Sequence, residues 1–170
     1  KEKFNVISIT DKTVTMLAQF NLDTDYRQSE TNNTVIFNGI DGWEYTPGPK
    51  EIDIQYWSTK PKVYVNNYVS FLQSETGDNS LTGDLITLSK LGDLGCTVSG
   101  DYSSGISGCT SSEHSEWLIN GQYWWTRSAF SGESGKVWVM IDDGFLGSAG
   151  CASTHGVRPV KTISKSYFEE

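Results

Sequence analysis

Tyr123-Trp124-Trp125-Thr126-Arg127-Ser128-Ala129, followed by Lys136-Val137-Trp138-Val139-Met140-Ile141-Asp142 and Gly156-Val157-Arg158-Pro159-Val160-Lys161-Thr162-Ile163-Ser164, decides how this chain folds. Each run is rich in aromatic and β-branched residues and is bounded by Gly and Ser, so the three read as strands separated by turns. Arg127 and Arg158 sit inside otherwise apolar strand sequence. A guanidinium is tolerated there only if its donors are spent on carbonyls or carboxylates. Such arginines could bind an anionic ligand, but crossing strands to fix a loop-rich end of the domain accounts for them more simply.

Upstream, Phe4-Asn5-Val6-Ile7-Ser8-Ile9 and residues 14 to 22 read as two strands joined by a turn at Asp11-Lys12, a hairpin. Residues 23 to 33 are polar, Val35-Ile36-Phe37 is a short apolar stretch, and residues 42 to 49 have loop chemistry. Pro61 suits a first helical turn, and Val65, Tyr68, Val69 and Leu72 repeat at helical spacing. A second helix is expected from Thr82, because Leu85, Ile86, Leu88 and Leu91 form a stripe ending at Gly92 and Gly95. With no repeat and no linker, the chain reads as one α+β domain.

Composition agrees. The chain has 170 residues, 36% hydrophobic, with six Trp, eight Tyr and seven Phe against four Pro, enough apolar material for one core and favourable to sheet. The net charge of −8 repels phosphate backbones, so nucleic acid is not an expected partner. No apolar run reaches the roughly 20 residues of a membrane helix, so direct membrane insertion is not expected. The first residue is Lys1, from which a trimmed N-terminal signal or anchor segment is expected.

Cys96 and Cys109 bracket a loop of small residues, and Cys151 stands apart. A disulfide across that loop would contribute about 3 kcal/mol and imply an oxidising, extracytoplasmic setting. Reduced thiols, or a zinc site with His114, remain alternatives at this point, although the short C-x-x-C knuckle of zinc sites is missing. The motifs of P-loop, dinucleotide-binding, zinc-peptidase and nucleophile-elbow enzymes are also missing. His114 and His155 lie in polar surroundings, and Asp142-Asp143-Gly144 reads as a turn before it reads as an acid–base or calcium pair. Neither a catalytic residue, a metal nor a cofactor is expected.

The motifs Tyr123-Trp124-Trp125-Thr126-Arg127-Ser128, Val137-Trp138-Val139, Asp143-Gly144 and Gly156-Val157-Arg158-Pro159-Val160 resemble those of bacterial C-type lectin-like domains. Leu85-Ile86-Thr87, Leu94-Gly95-Cys96 and Trp117-Leu118 support the likeness, which covers residues 14 to 165. Such domains end prepilin-like surface proteins of Gram-positive bacteria and form the variable proteins of diversity-generating retroelements; formylglycine-generating enzymes are more distant relatives. The resemblance implies a small twisted antiparallel sheet, two flanking helices and a long loop region displaying a binding surface. It implies scaffold roles for Trp124, Arg127, Ser128, Trp138, Arg158 and Pro159, with display residues between them in 128 to 156. Residues 144 to 156 contain only amino-acid types reachable by retroelement mutation of Asn codons. The enzymes of this group use a reactive cysteine pair for copper chemistry, and no second thiol neighbours Cys151 in sequence.

The expectation is therefore a non-catalytic, adhesin-like display domain on an extracellular bacterial surface or pilus, binding a protein or glycan. Its contact set is Tyr123, Trp125, Phe130, Glu133, Phe145, Leu146, Ser148, Ser153, Thr154 and His155. A structural pilin-like head, assembling through the absent N-terminal segment, and a formylglycine-generating or metal-dependent enzyme are the alternatives.

Overall fold

The computed structural model describes residues 2–31, 33–37, 59–82, 85–95, 115–129, 136–141 and 146–168. Cys96, Cys109, His114, Phe130, Glu133, Asp142, Asp143 and Phe145 lie outside them, and with them the loop disulfide and the zinc and calcium alternatives.

The N-terminal hairpin forms from β1 (Phe4–Ile9) and β2 (Thr13–Ala18), and β2 pairs next with the C-terminal β9 (Pro159–Ser164). β4 (Ile86–Leu88) completes a four-stranded antiparallel sheet in the order β1-β2-β9-β4. A register shift between Val6 and Ser8 marks a bulge at Ile7, a local device that re-aims a side chain. Strand periodicity then assigns the two faces. Ile86 and Leu88 pack in one cluster with Val65, Tyr68, Val69 and Leu72 of the helix, while Leu17, Val160 and Ile7 join a second cluster with Trp124 and Met140.

The helix α1 spans Lys60–Thr76. Its start is set by Thr59, whose side chain accepts from the Lys62 N–H at 3.4 Å, and by Pro61 in the first turn; its end is Gly77 at φ 70°, whose N–H donates to Gln73 O at 2.8 Å.

β5 (Trp124–Ala129), β6 (Lys136–Met140) and β7 (Leu146–Gly150) form a second antiparallel sheet, and β3 (Val35–Ile36) pairs with β8 (Thr154–His155). β5 runs between the two clusters: Trp124 enters the one built on Leu17 and Val160, Trp125 the one built on α1 and β4. The alternation of a strand thus sends adjacent indoles into different cores. β5 pairs irregularly with β6 between Trp125 and Ala129, where the Thr126 hydroxyl donates to Trp138 O at 2.8 Å. Arg127 at this irregularity ties β5 to β4, its backbone N–H donating to Ser89 O at 2.8 Å and its Nε to Leu88 O at 3.0 Å.

One expectation is corrected here. The second helix from Thr82 does not form: Ile86–Leu88 is β4, and Leu91–Leu94 is a single 3-10 turn ended by Gly95 at φ 72°. Antiparallel pairing of Ile86, Thr87 and Leu88 with Lys161, Val160 and Pro159 satisfies the backbone that the apolar stripe alone assigned to a helix. The architecture is α+β with one helix among the described residues and several antiparallel sheets. Among those residues no helix is long and apolar enough to cross a membrane.

Candidate functional site

Asn120-Gly121 makes the turn that enters β5, with Gly121 at φ 75°, a left-handed conformation that glycine adopts without strain. Gly156 then meets the start of β5 in a parallel bridge to Trp124: the Trp125 N–H donates to Gly156 O and the Gly156 N–H to Tyr123 O, each at 2.9 Å. This close approach admits no side chain, because a Cβ at Gly156 would overlap the Asn21 side-chain amide and press on Tyr123 O. Residue 156 is consequently fixed as glycine by packing, although it ends the segment compatible with retroelement variation.

The bridge sets His155 beside Tyr123. Their rings stack at 5.6 Å with 10° between planes, and Trp125 meets His155 edge-on at 4.7 Å. Burial lowers the His155 pKa below its ordinary value of 6.5, so the imidazole is neutral at pH 7 and stacks without carrying charge into a half-buried place. Tyr123 is 42% exposed and forms the outer layer. Ser153 and Thr154, which precede His155 in sequence, are exposed.

An amide network underlies the patch. Asn21 Nδ2 donates to Tyr123 O at 3.3 Å, Asn120 Nδ2 to Asn21 Oδ1 at 3.0 Å, and Gln122 Nε2 to Glu30 O at 3.0 Å. Sequence reasoning missed Asn21, Asn120, Gln122 and also Ile119, which is 50% exposed. The Asn-Gly dipeptide just before the aromatic run was the available signal, since it marks a tight turn that presents its neighbours.

Arg158, 1% exposed, anchors the site from beneath. Its Nε donates to Ala18 O, its Nη1 to Leu118 O at 2.9 Å, and its Nη2 to Trp117 O at 2.7 Å and to Gln19 O at 3.4 Å. The guanidinium lies 5.1 Å from the centre of the Trp124 ring, a cation–π contact. Burial lowers its pKa to about 9, which leaves it charged at pH 7. Its donors are spent on two backbone segments, the end of β2 and the 3-10 turn at Ser115–Leu118, so it holds scaffold and leaves little for an anionic ligand. Ser128, wholly buried, accepts from the Leu91 N–H at 3.0 Å. Trp124, Trp138 and Pro159 are likewise buried, and Arg127 is half-buried.

Among the expected contact residues, Trp125 is corrected. It is wholly buried, and its indole N–H donates to Val35 O at 2.8 Å, so it supports His155 from within and cannot touch a ligand. Leu146 is half-buried against the cluster containing Leu17 and Trp124. Ser148 is exposed on β7, in register with Trp138. Within 128–156, Val137–Met140 of β6 are buried and are not display positions. Cys151 is buried as a free thiol, pushed up to about 12 by burial, which makes it unreactive as a nucleophile at neutral pH. Among the described residues no three of His, Cys, Asp and Glu gather as a metal site. No protein-family model, curated protein or solved structure matches the chain.

Proposed function

We propose that this is a non-catalytic binding domain of the C-type lectin-like kind, acting as an adhesin-like display module at an extracellular bacterial surface. The observation that carries this reading is the Tyr123–His155 stack, an aromatic face half-open to solvent and mounted on the wholly buried Trp124, Trp125 and Arg158. Rigid aromatic side chains supply contact area at little entropic cost, and exposed Ser153 and Thr154, just before His155, and exposed Ile119, just before the turn into β5, add hydroxyl and apolar groups. The contact surface is accordingly smaller than the whole 128–156 segment: it is Tyr123, His155 and their exposed neighbours.

The test is binding of the labelled domain to arrayed glycans and purified extracellular-matrix proteins, repeated with Tyr123→Ala. Saturable binding by the native protein to at least one probe, weakened about tenfold or more by Tyr123→Ala with the melting temperature unchanged, supports the reading. Absence of saturable binding, equal binding by the variant, or a large drop in its melting temperature refutes it.

A further inference from the structure

A concave site that shares no lining residue with the ring stack lies between the start of β1, the 23–28 turn and the C-terminal half of α1. It is a cleft of about 410 Å³ lined by Glu2, Arg27, Phe71, Leu72, Glu75 and Thr76, within the size range of small-molecule sites. Phe71 and Leu72 provide its apolar part.

Two charged groups of opposite sign are presented to it on prepared supports. Arg27 is placed by a turn in which Asp23 Oδ1 accepts from the backbone N–H groups of Asp25 at 2.9 Å and Arg27 at 3.1 Å. Its guanidinium lies over the Phe71 ring at 4.4 Å. Among the described residues that guanidinium makes no hydrogen bond or ion pair, so its forked donors are held in place and uncommitted.

Glu2 is held by two hydrogen bonds. Its Oε2 accepts from the Tyr68 hydroxyl at 2.9 Å and the Gln28 N–H at 3.1 Å, while Gln28 Nε2 donates to the same tyrosine oxygen at 3.0 Å. Tyr68 is wholly buried, and burial raises its pKa, so the hydroxyl stays a donor to Glu2. Both supporting bonds fall on Oε2, which leaves Oε1 as an acceptor. Glu75 adds a second carboxylate at the cleft wall.

We propose that this cleft binds a small zwitterion of amino-acid or dipeptide size. Its carboxylate is taken by Arg27, where a fork geometry matches two oxygens. Its ammonium is taken by Glu2 and Glu75, and an aliphatic side chain lies on Phe71 and Leu72. The net charge of −8 favours this class over a simple anion, because a zwitterion brings no net charge into a negative field.

The experiment is calorimetric titration of the full chain with L-leucine and L-leucyl-L-leucine, with N-acetyl-leucine and leucinamide as probes that each lack one charge. The expected result is saturable binding of leucine or dileucine with a dissociation constant at or below about 1 mM, loss of binding for both single-charge probes, and weakening of about tenfold or more in Arg27→Gln. Arg27 is exposed, so this variant keeps the fold, and an unchanged melting temperature verifies it. Glu75→Gln serves as the second arm and also weakens leucine, with the melting temperature unchanged. The proposal is overturned by no saturable binding up to about 10 mM, by equal affinity in Arg27→Gln, or by N-acetyl-leucine binding as well as leucine. Tyr123→Ala leaves this titration unchanged, which separates the cleft from the ring-stack surface.

Discussion

Replacing Arg158 by Met tests the framework beneath the aromatic surface. The substitution preserves length and apolar bulk but removes the donors to Ala18 O, Gln19 O, Trp117 O and Leu118 O. The bonds to Ala18 and Leu118 are fully buried, and a buried carbonyl left without a partner costs about 1–3 kcal/mol. The two half-buried acceptors add less, because water can reach them. Against this, methionine no longer carries a charge out of water, which returns part of the desolvation cost. The net expectation is a loss of about 2–4 kcal/mol, or roughly 4–16 °C in melting temperature for a chain of this size. Urea unfolding followed by tryptophan fluorescence measures it, with the midpoint lowered and the slope unchanged. Arg158→Lys distinguishes geometry from charge: one ammonium cannot replace a fork that serves two chain segments, so lysine restores less than half of the loss. A cost below about 1 kcal/mol for Met, or full recovery with Lys, would refute the assignment of Arg158 as the clamp between β2 and the 3-10 turn.

Three further outcomes follow from the same packing. Gly156→Ala forces a Cβ into the Asn21 amide and Tyr123 O, so it lowers stability by about 1–3 kcal/mol, read as a shift in urea midpoint; a neutral effect would mean that Asn21 gives way freely. Cys151, buried and free, reacts with an aromatic disulfide reagent about a hundredfold more slowly in the native than in the unfolded state. Because burial raises this thiol from 9.0 to about 12, the folded state keeps a proton that the unfolded state releases. Its contribution to stability is complete below pH 9 and declines as pH rises toward 12. Cys151→Ala flattens that alkaline decline, and an unaltered profile would contradict the assignment.

How much of this was legible in the sequence depends on whether a local signal had one reading. Val65, Tyr68, Val69 and Leu72 share a helical face, and Thr59, Pro61 and Gly77 punctuate it, so α1 was readable before any packing was known. Leu85, Ile86, Leu88 and Leu91 satisfy a helical stripe equally well as a short strand followed by a tight turn. Tertiary pairing with β9 decided between them, and no local signal could. Leu146–Gly150 offered still less: Leu-Gly-Ser-Ala-Gly has poor strand propensity, and it is a strand because Lys136–Met140 of β6 supplies a partner for every one of its residues. Trp124 and Trp125 show the same limit at the candidate site. Alternation says that neighbours on β5 face opposite ways, but it says which one is exposed only if one face meets water.

Here neither face does, and that bears on how the proposed binding surface is built. With Trp124 committed to one cluster and Trp125 to the other, β5 cannot rotate or slip by a residue without moving a buried indole toward solvent. Tyr123, the residue just before this doubly anchored pair, inherits a fixed position while its own ring stays 42% exposed. His155 is fixed in turn by the Gly156 bridge and by the edge of Trp125. The surface thus combines a rigid aromatic pair with exposed small residues at Ser153 and Thr154. Those two side chains, which make no hydrogen bond among the described residues, can be exchanged without disturbing either core, whereas Gly156 cannot. Under the proposed binding function, residues 153 and 154 have room to vary next to His155 in sequence without disturbing the ring stack.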